Sequence, residues 1–267
     1  MSPGNFTLTG RVALVTGAGS DAGIGYATAG TLARTGATVT ITATTDRIET
    51  RAVELRTEGL AVDAMIADLT DVSQARRLVD EVVARHGRID ILVNNAGLAQ
   101  AGFAEPSSLL RDMSEEEWDL AIALNLKTCW AVTRAAVPGM IDQRYGRIVN
   151  VSSVTGPFVS APESAGYSAA KAGVDGLMRG LAIEVGRFGV TVNSVAPGWI
   201  ETASSGADEM VAALHTPIGR PGTPGEVADL IAFLASDASR YITGQSIVID
   251  GGNTIQEYHG VDVYGDR

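Results

Sequence analysis

Residues 12–25, VALVTGAGSDAGIG, run from an apolar stretch through a turn with four glycines into a helical pattern. The first five residues are apolar or β-branched without interruption, as in a strand that is buried on both faces. Glycines between a strand and a helix let the backbone approach a pyrophosphate, whose charge the free N–H groups and the dipole of the helix start would stabilise. Tight turns also use glycine for conformational reasons, so the turn by itself leaves two interpretations open, a nucleotide site and a plain structural turn.

Further apolar runs of the same kind follow along the chain, separated by helical patterns. They lie at residues 38–42, 61–66, 89–93, 148–151, 190–195 and 247–249. Near-continuous apolar strands that alternate with helices are typical of a parallel sheet covered by helices on both faces. Because no Pro/Gly/Ser-rich linker or charge block divides the chain, residues 1–267 are expected to form a single domain. The sequence therefore predicts an α/β fold, a Rossmann-type doubly wound parallel sheet of about seven strands.

Helix ends and loops can be placed on this pattern. Gly36 and Gly87 lie where helices should end, and Ser114 with Glu117 forms a candidate capping box that opens a helix at 118–136. Residues 98–113 and 202–221 lack clear periodicity and follow strands that end at the carboxyl edge of the sheet, where open α/β sheets bind ligands. We expect both segments to be substrate loops, with a plain surface loop as the alternative for the first.

The composition bears on partners and compartment. The formal net charge is −11 and no Lys/Arg cluster interrupts it, so nucleic acid is not an expected partner. No apolar run approaches the roughly 20 residues of a membrane span, so no membrane partner is expected. The start of the chain lacks the charged-then-apolar pattern of a secretory signal, and we expect the protein in the cytoplasm.

The cysteine and the histidines give no sign of a metal site. His86, His215 and His259 are far apart in sequence, and none pairs with a Cys, Asp or Glu at metal-binding spacing. The single cysteine, Cys129, has apolar neighbours and is expected to be buried in a helix rather than to serve as a reactive thiol.

Tyr167 and Lys171 lie four residues apart in a segment predicted to be helical, so the phenol and the ammonium share one helix face. A nearby positive charge lowers the pKa of a phenol and suits a tyrosine to acid/base work near neutrality. Such a pair also occurs by chance on solvated faces, so this alternative stays open. Ser152 and Ser153, at the end of the fifth strand, should reach the same sheet edge, where a serine hydroxyl can donate to a carbonyl oxygen.

Together with further motifs, these residues resemble the short-chain dehydrogenase/reductases, and within them the single-domain branch that includes the 3-oxoacyl-[acyl-carrier-protein] reductases. The resemblance spans nearly the whole chain. It rests on the glycine turn at 16–25, Asp68-Leu69, Asn94-Asn95-Ala96-Gly97, Asn125, Ser153, the Tyr167 and Lys171 pair, Pro197-Gly198-Trp199-Ile200-Glu201-Thr202, and Gly244-Gln245 before Asp250-Gly251-Gly252.

The resemblance implies an NAD(P)(H)-dependent oxidoreductase that moves a hydride between a nicotinamide and a carbonyl or alcohol carbon. Ser153 would polarise the substrate carbonyl while Tyr167 transfers the proton. Lys171 would bind the nicotinamide ribose and lower the pKa of Tyr167, and Asn125 would hold a water that links Lys171 to solvent. A bond to the helix backbone is the alternative role for Asn125. The implied substrates are 3-oxoacyl thioesters or small to medium ketones and the matching alcohols.

The resemblance also implies where the cofactor binds. The adenine would lie beside Asp68 and Leu69, and the carboxamide against Ile200 with Thr202 close by. Asn95 would approach the ribose and also tie neighbouring loops together. The full predicted set is Gly17, Gly19, Ser20, Gly23, Ile24, Gly25, Thr44, Arg47, Asp68, Leu69, Asn95, Ala96, Gly97, Tyr167, Lys171, Pro197, Gly198, Ile200 and Thr202.

The end of the second strand bears on the coenzyme. Thr42 is assigned the position where NAD-specific sites carry Asp or Glu, so the carboxylate that repels a 2′-phosphate is absent. Thr44 could donate to that phosphate and Arg47 could reach it, although Arg47 could equally belong to the solvated first turn of the next helix. Asp46 and Asp21 make the local field less positive. We expect NADP(H) to be favoured over NAD(H).

Three departures from the family pattern concern substrate choice more than chemistry. The glycine turn is about two residues longer than usual, the stretch from Gly97 to Asn125 about five longer, and that from Ser153 to Tyr167 about one longer. Two other functions stay open, a catalytically silent nucleotide-binding regulator or scaffold, and an epimerase or dehydratase on the same fold. The apolar helices near 118–136 and 167–185, with the resemblance, imply a homotetramer of dihedral symmetry.

Overall fold

The computed structural model describes residues 6–97 and 107–257, built around a seven-stranded parallel sheet in the order β3-β2-β1-β4-β5-β6-β7. The strand order reverses between β1 and β4, which creates the crevice where doubly wound sheets bind ligands. The predicted Rossmann-type fold is thus confirmed, and the predicted strands agree with the observed ones to within a few residues. These are β1 (Val12–Thr16), β2 (Thr38–Ala43), β3 (Val62–Ile66), β4 (Ile91–Asn94), β5 (Gly146–Val151), β6 (Val190–Pro197) and β7 (Ser246–Ile249).

Helices cover both faces of the sheet. Apolar side chains of α1, α2 and α8 form one core layer, and those of α3, α5 and α6 form the other. The helices are α1 (Ile24–Arg34), α2 (Arg47–Thr57), α3 (Val72–His86), α4 (Glu115–Ile122), α5 (Thr128–Asp142), α6 (Ala165–Val185), α7 (Ala207–Ala213) and α8 (Pro224–Ala235). The central strands are buried on both faces, which explains why they are continuously apolar.

The predicted helix ends are present. The Ser114 side chain accepts a hydrogen bond from the backbone N–H of Glu117, and the Glu117 carboxylate accepts one from the backbone N–H of Ser114, which forms the expected capping box. Gly87 ends α3 with a φ of +81°, and Gly36 follows α1 with a φ of +105°. These glycines adopt the left-handed conformation that other residues rarely reach.

Residues 115–142 form one run of helix interrupted by a π-helical turn, Ala123–Lys127, between α4 and α5. By length and composition alone this run could cross a membrane. Half of its most apolar stretch is buried within the domain, and packing in the core accounts for its composition. Cys129 is buried there as predicted, and its burial raises the pKa of the thiol to about 12.

Two of the three histidines lie in the part of the chain that the structure describes. His86 lies with its Nε2 atom 3.0 Å from Oδ2 of Asp63, and the backbone carbonyl of His215 accepts a bond from the Gln256 amide. His259 falls outside the described residues. Within 6–97 and 107–257, no three His, Cys, Asp or Glu side chains cluster as metal ligands would.

The amino edge of the sheet carries a buried charge. Asp90 is fully buried immediately before β4, and its carboxylate accepts the backbone N–H of Val12 at 3.0 Å. Arg88 donates to the same carboxylate at 2.5 Å and Arg11 at 3.4 Å. Since Val12 begins β1, this carboxylate joins the starts of the two central strands, at the end of the sheet opposite the expected binding edge.

Candidate active site

The glycine turn lies at the carboxyl end of β1, in close contact with the end of β4. Gly17 has a φ of +70°, and a Cβ atom there would lie 2.7 Å from Cα of Ala96. A Cβ atom on Gly25 would lie 2.6 Å from the Gly17 carbonyl oxygen. The turn can therefore adopt this packing only with glycine at both positions.

Thr16 and Asn95 fasten the turn in place. The Asn95 amide donates to the carbonyl oxygens of Thr16 and Gly17 at 3.0 and 2.9 Å. The Thr16 hydroxyl accepts the backbone N–H groups of Asn95 and Ala96, both at 3.0 Å. Asn95 thus ties the two loops together, as expected from the sequence, while its contact with a ribose stays a prediction.

A cleft of about 380 Å³ opens along this edge of the sheet. Most of the predicted cofactor residues line it: Gly17, Gly19, Ser20, Gly23, Ile24, Thr44, Arg47, Leu69, Asn95, Ala96, Gly97 and Thr202. The sequence prediction missed several neighbours that also line it: Ala43, Ala67, Leu124, Thr128, Ala203 and Ser204. Their positions at strand ends and around Asn125 were the available signal, because apolar and small side chains carry no chemical signature.

Five other predicted cofactor residues are not among those that line this cleft: Gly25, Asp68, Pro197, Gly198 and Ile200. The Asp68 carboxylate accepts the backbone N–H and the hydroxyl of Thr70, at 2.9 and 2.7 Å. Gly198 packs on Asp250, where a Cβ atom would come within 2.6 Å of the Asp250 Cβ. Ile200 is buried and lines a second, smaller cleft with Trp199 and Gly251, and Pro197 is the last residue of β6. Leu69 lines the cleft, and the contact of Asp68 with an adenine stays a prediction.

The lysine of the Tyr167 pair is buried. Lys171 has 4% of its surface exposed, and its Nζ atom donates to the carbonyl oxygen of Val151 at 2.9 Å. The same Nζ lies 5.5 Å from the centroid of the Tyr167 ring. One turn of α6 separates the two residues, and the lysine of the pair meets the end of β5.

Asn125 and Lys171 both approach Gly97. A Cβ atom on Gly97, which lines the cleft, would lie 2.9 Å from Oδ1 of Asn125 and 3.5 Å from Nζ of Lys171. Asn125 lies in the π-helical turn, and its amide donates to the Ala121 carbonyl at 3.1 Å. This backbone bond is the alternative role considered above, and single π turns often occur at functional sites. The water-holding role stays a prediction.

Ser153 follows β5 with 9% of its surface exposed. Its Oγ atom accepts the backbone N–H of Thr155 at 3.0 Å, which leaves the serine proton available for donation. The neighbouring Ser152 donates to the backbone carbonyl of Lys171 at 3.3 Å. The end of β5 is therefore bonded directly to the helix that carries Tyr167.

Thr42 and Ala43, at the end of β2, both line the cleft, and the assignment of Thr42 to the coenzyme-selecting position stays a prediction. Thr42 is fully buried, and the side chain that packs against the glycine turn at the end of β2 is the methyl group of Ala43, 2.9 Å from a Cβ atom built on Gly19. Successive side chains of a strand point to opposite faces, so a shift by one residue exchanges the inward and outward positions. Neither residue is acidic, and the position still lacks a carboxylate.

Arg47 is the first residue of α2 and lines the cleft. A Cβ atom on Gly19 would lie 2.7 Å from its Nε atom and 3.2 Å from its Nη2 atom. The guanidinium thus lies over the glycine turn. This position is the one that a contact with a coenzyme 2′-phosphate would require, and the contact itself stays a prediction. Asp46 precedes it as the exposed N-terminal cap of α2.

Of the two predicted substrate loops, residues 98–106 of the first lie outside the described residues. The second is not purely irregular as predicted, because Ala207–Ala213 form the short helix α7. Seven residues are too few for a helical apolar period to be evident. Arg111 is paired with Asp112 at 3.2 Å, and Arg220 with Glu226 at 2.7 Å.

Known proteins resemble this chain along most of its length. The family model described as enoyl-(acyl carrier protein) reductase matches residues 17–254. The 3-oxoacyl-[acyl-carrier-protein] reductase FabG of Thermotoga maritima is 44% identical over 93% of this chain and 99% of its own. Oxidoreductase UcpA of Salmonella typhimurium is 41% identical over 96% of this chain and 99% of its own. A dehydrogenase/reductase structure from Sinorhizobium meliloti 1021 superposes with a TM-score of 0.84 at 32% identity, over 93% and 96%. The chain belongs to the short-chain dehydrogenase/reductase family of oxidoreductases.

Proposed function

We propose that the protein is an NADPH-preferring reductase that converts the carbonyl group of a small or medium uncharged ketone into an alcohol, or runs the reverse reaction. The observation that carries the proposal is the buried Lys171 ammonium, which is bonded to the Val151 carbonyl, lies 5.5 Å from the Tyr167 ring centroid and approaches Gly97 at the edge of the cleft. Burying an ammonium costs several kcal/mol unless partners compensate. A silent nucleotide-binding scaffold would have no use for such an arrangement.

The cleft fits a nicotinamide dinucleotide. The glycine turn requires glycine at Gly17 and Gly25, so its backbone is open to a close approach. The start of α1 at Gly23 has no side-chain cap and would offer backbone N–H groups to a pyrophosphate. Arg47 would add a cation at the adenosine end. When bound, the nicotinamide supplies or accepts a hydride.

The chain's own residues handle the proton. The Tyr167 hydroxyl gives its proton to the carbonyl oxygen during reduction and takes it back during oxidation. Ser153, oriented by the Thr155 N–H, donates a hydrogen bond to the same oxygen. Lys171, fixed by the Val151 carbonyl, favours the phenolate when the proton has left Tyr167. An epimerase or dehydratase on this scaffold would use the same tyrosine without net oxidation of the nicotinamide.

The pairing of the loop arginines supports a free ketone over a thioester on an acidic carrier protein. Arg220 bonds both carboxylate oxygens of Glu226, at 2.7 and 3.0 Å, and lowers the pKa of Glu226 to about 2. Arg111 is engaged by Asp112. Neither cation is thus spare for an acidic partner, and the net charge of −11 would repel one.

The proposal is tested by following the absorbance of the reduced nicotinamide during steady turnover. Ketones and carrier thioesters are supplied in turn with each of the two coenzymes. We expect ketone-dependent oxidation of NADPH with a higher kcat/KM than with NADH. Steady epimerisation or dehydration with no net absorbance change would instead support the alternative enzymes, and no turnover of any kind would support the scaffold.

The Arg47→Ala variant tests the coenzyme assignment in the same assay. Removing the guanidinium should lower kcat/KM with NADPH by about 10-fold, since a charge-assisted phosphate contact contributes about 1.5–3 kcal/mol at most. The kcat/KM with NADH should change less than about 2-fold, so the preference for NADPH over NADH becomes smaller. Equal or better efficiency of the unaltered protein with NADH would contradict the NADPH preference and leave the role of Tyr167 intact.

We further propose a homotetramer in the cytoplasm. Large apolar side chains are exposed on the helices that the family resemblance places at a two-fold axis: Trp118 on α4, Trp130 on α5 and Ile183 on α6, the last 84% exposed. Exposed apolar groups of this kind are typical of subunit contacts. Static light scattering should report four times the chain mass of 27.7 kDa. A monomer across the micromolar range would contradict the proposal.

A further inference from the structure

The lengthened glycine turn is tied to α2 by an ion pair. Asp21 lies in the turn, and its carboxylate is 2.9 Å from the Nη1 atom of Arg51. Arg51 follows Arg47 by one turn of α2, so both guanidinium groups belong to the helix face that meets the glycine turn. Arg47 reaches Gly19, and Arg51 reaches Asp21 two residues later.

Arg51 differs from a solvated surface arginine. Only 15% of its side chain is exposed, its Nη2 atom bonds Glu54 at 2.7 Å, and its guanidinium lies 5.8 Å from the Tyr26 ring centroid on α1. These contacts fix the guanidinium before it meets Asp21, so less side-chain entropy is lost than in most exposed pairs. The pairing with Arg51 lowers the pKa of Asp21 below its usual value, which keeps the carboxylate charged and paired.

We propose that the Asp21–Arg51 ion pair is a latch that closes the lengthened glycine turn onto α2 and thereby forms a subsite for the coenzyme 2′-phosphate. This inference rests on the proposed NADPH preference. The latch holds Gly19 against Arg47, and it neutralises a carboxylate that would otherwise repel the phosphate. Asp21 and Arg51 are positioning residues in this scheme, whereas Arg47 provides the phosphate contact.

Substitutions of Arg51 and of Asp21 should have different effects on ligand binding. Arg51→Gln breaks the latch and leaves the Asp21 carboxylate unpaired near the subsite. A ligand with a 2′-phosphate should therefore lose more affinity than a ligand without it. Asp21→Asn breaks the latch but introduces no repulsion, so a ligand with a 2′-phosphate should lose affinity by a smaller factor, and a ligand without it should keep its affinity. The double variant removes the latch and the repulsion together.

Calorimetric titration with adenosine 2′,5′-bisphosphate and with AMP, which differ only in the 2′-phosphate and do not support turnover, measures these effects directly. We expect Arg51→Gln to weaken the 2′-phosphorylated ligand by about 10-fold and AMP by less than about 2-fold. Asp21→Asn should weaken the 2′-phosphorylated ligand by about 3-fold and AMP by less than about 2-fold, and the double variant should match it. Glu58→Gln is the matched control, because it removes an exposed ion pair with Arg34 at 2.7 Å that also joins α1 to the end of α2, away from the turn.

The outcomes separate the two proposals. If the unaltered protein binds both ligands equally, the NADPH preference is wrong and the subsite falls with it. If it prefers the 2′-phosphorylated ligand but Arg51→Gln keeps the same ratio, the latch is wrong while the coenzyme proposal stands. Thermal midpoints of the variants identify loss of folding. If Arg51→Gln loses its fold, Asp21→Asn, whose side chain is 70% exposed, decides the result through its selective effect on the 2′-phosphorylated ligand, and an equal or stronger affinity for that ligand would overturn the latch.

Discussion

Replacing Tyr167 by Phe should lower kcat by about 100- to 10,000-fold, the range typical of a lost acid/base group. The substitution keeps the ring and its contacts but deletes the proton that the carbonyl oxygen must receive. Cofactor affinity should stay within about 2-fold, because Lys171 retains its bond to Val151 and the lining of the cleft is unchanged. Steady-state rates at saturating ketone, together with a fluorescence titration of the cofactor, measure both quantities.

Tyr145→Phe serves as the control for this experiment. Tyr145 also loses a hydroxyl with a defined partner, Asp237 at 3.1 Å, but it lies just before β5 at the opposite edge of the sheet. Its kcat should stay within about 2-fold of the unaltered protein. More than about a tenth of full activity in Tyr167→Phe would show that another group transfers the proton.

Replacing Asp90 by Ala should destabilise the fold by about 3 kcal/mol. The buried N–H of Val12 would lose its acceptor, and the guanidinium groups of Arg88 and Arg11 would lose the carboxylate that neutralises them. Since 1 kcal/mol shifts Tm by about 2–4 °C in a domain of roughly this size, thermal unfolding should show a midpoint lower by about 6–12 °C.

Asp80→Ala is the comparison for that measurement. Asp80 is 66% exposed and pairs with Arg76 at 3.6 Å within α3, so its removal should change the stability by less than about 0.5 kcal/mol. Equal midpoints for Asp90→Ala and Asp80→Ala would mean that the buried carboxylate does not join the strand starts as described. Activity at low temperature should be unaffected in both variants, because both positions are remote from the cleft.

The sequence predicted the sheet because buried parallel strands must be apolar throughout, and that pattern is visible without an alignment. It predicted the location of the site because strand ends in such a sheet meet at one edge. The second substrate loop was predicted as irregular since α7 is shorter than two full helical periods. The π-helical turn around Asn125 was not predicted, because a single extra residue in a helix barely alters the apolar spacing.

Side-chain direction was the harder part of the site. Thr42 and Ala43 both line the cleft, and no pattern in so short a polar stretch determines which of the two side chains faces the glycine turn. From the sequence, the Asp21 carboxylate was expected to make the field at the coenzyme phosphate less positive. Its neutralisation by Arg51, 30 positions further along the chain, depends on how α2 packs and is apparent only in three dimensions.

The burial of Lys171 has a consequence for chemical labelling. The chain contains two lysines, and the other, Lys127, is exposed. An amine-reactive acylating reagent should therefore modify Lys127 rapidly and Lys171 slowly, in proportion to how often the cleft admits the reagent. With Lys127→Arg, Lys171 becomes the only side-chain amine in the protein, and mass spectrometry of its peptide becomes a footprint of cleft occupancy that needs neither a known substrate nor turnover.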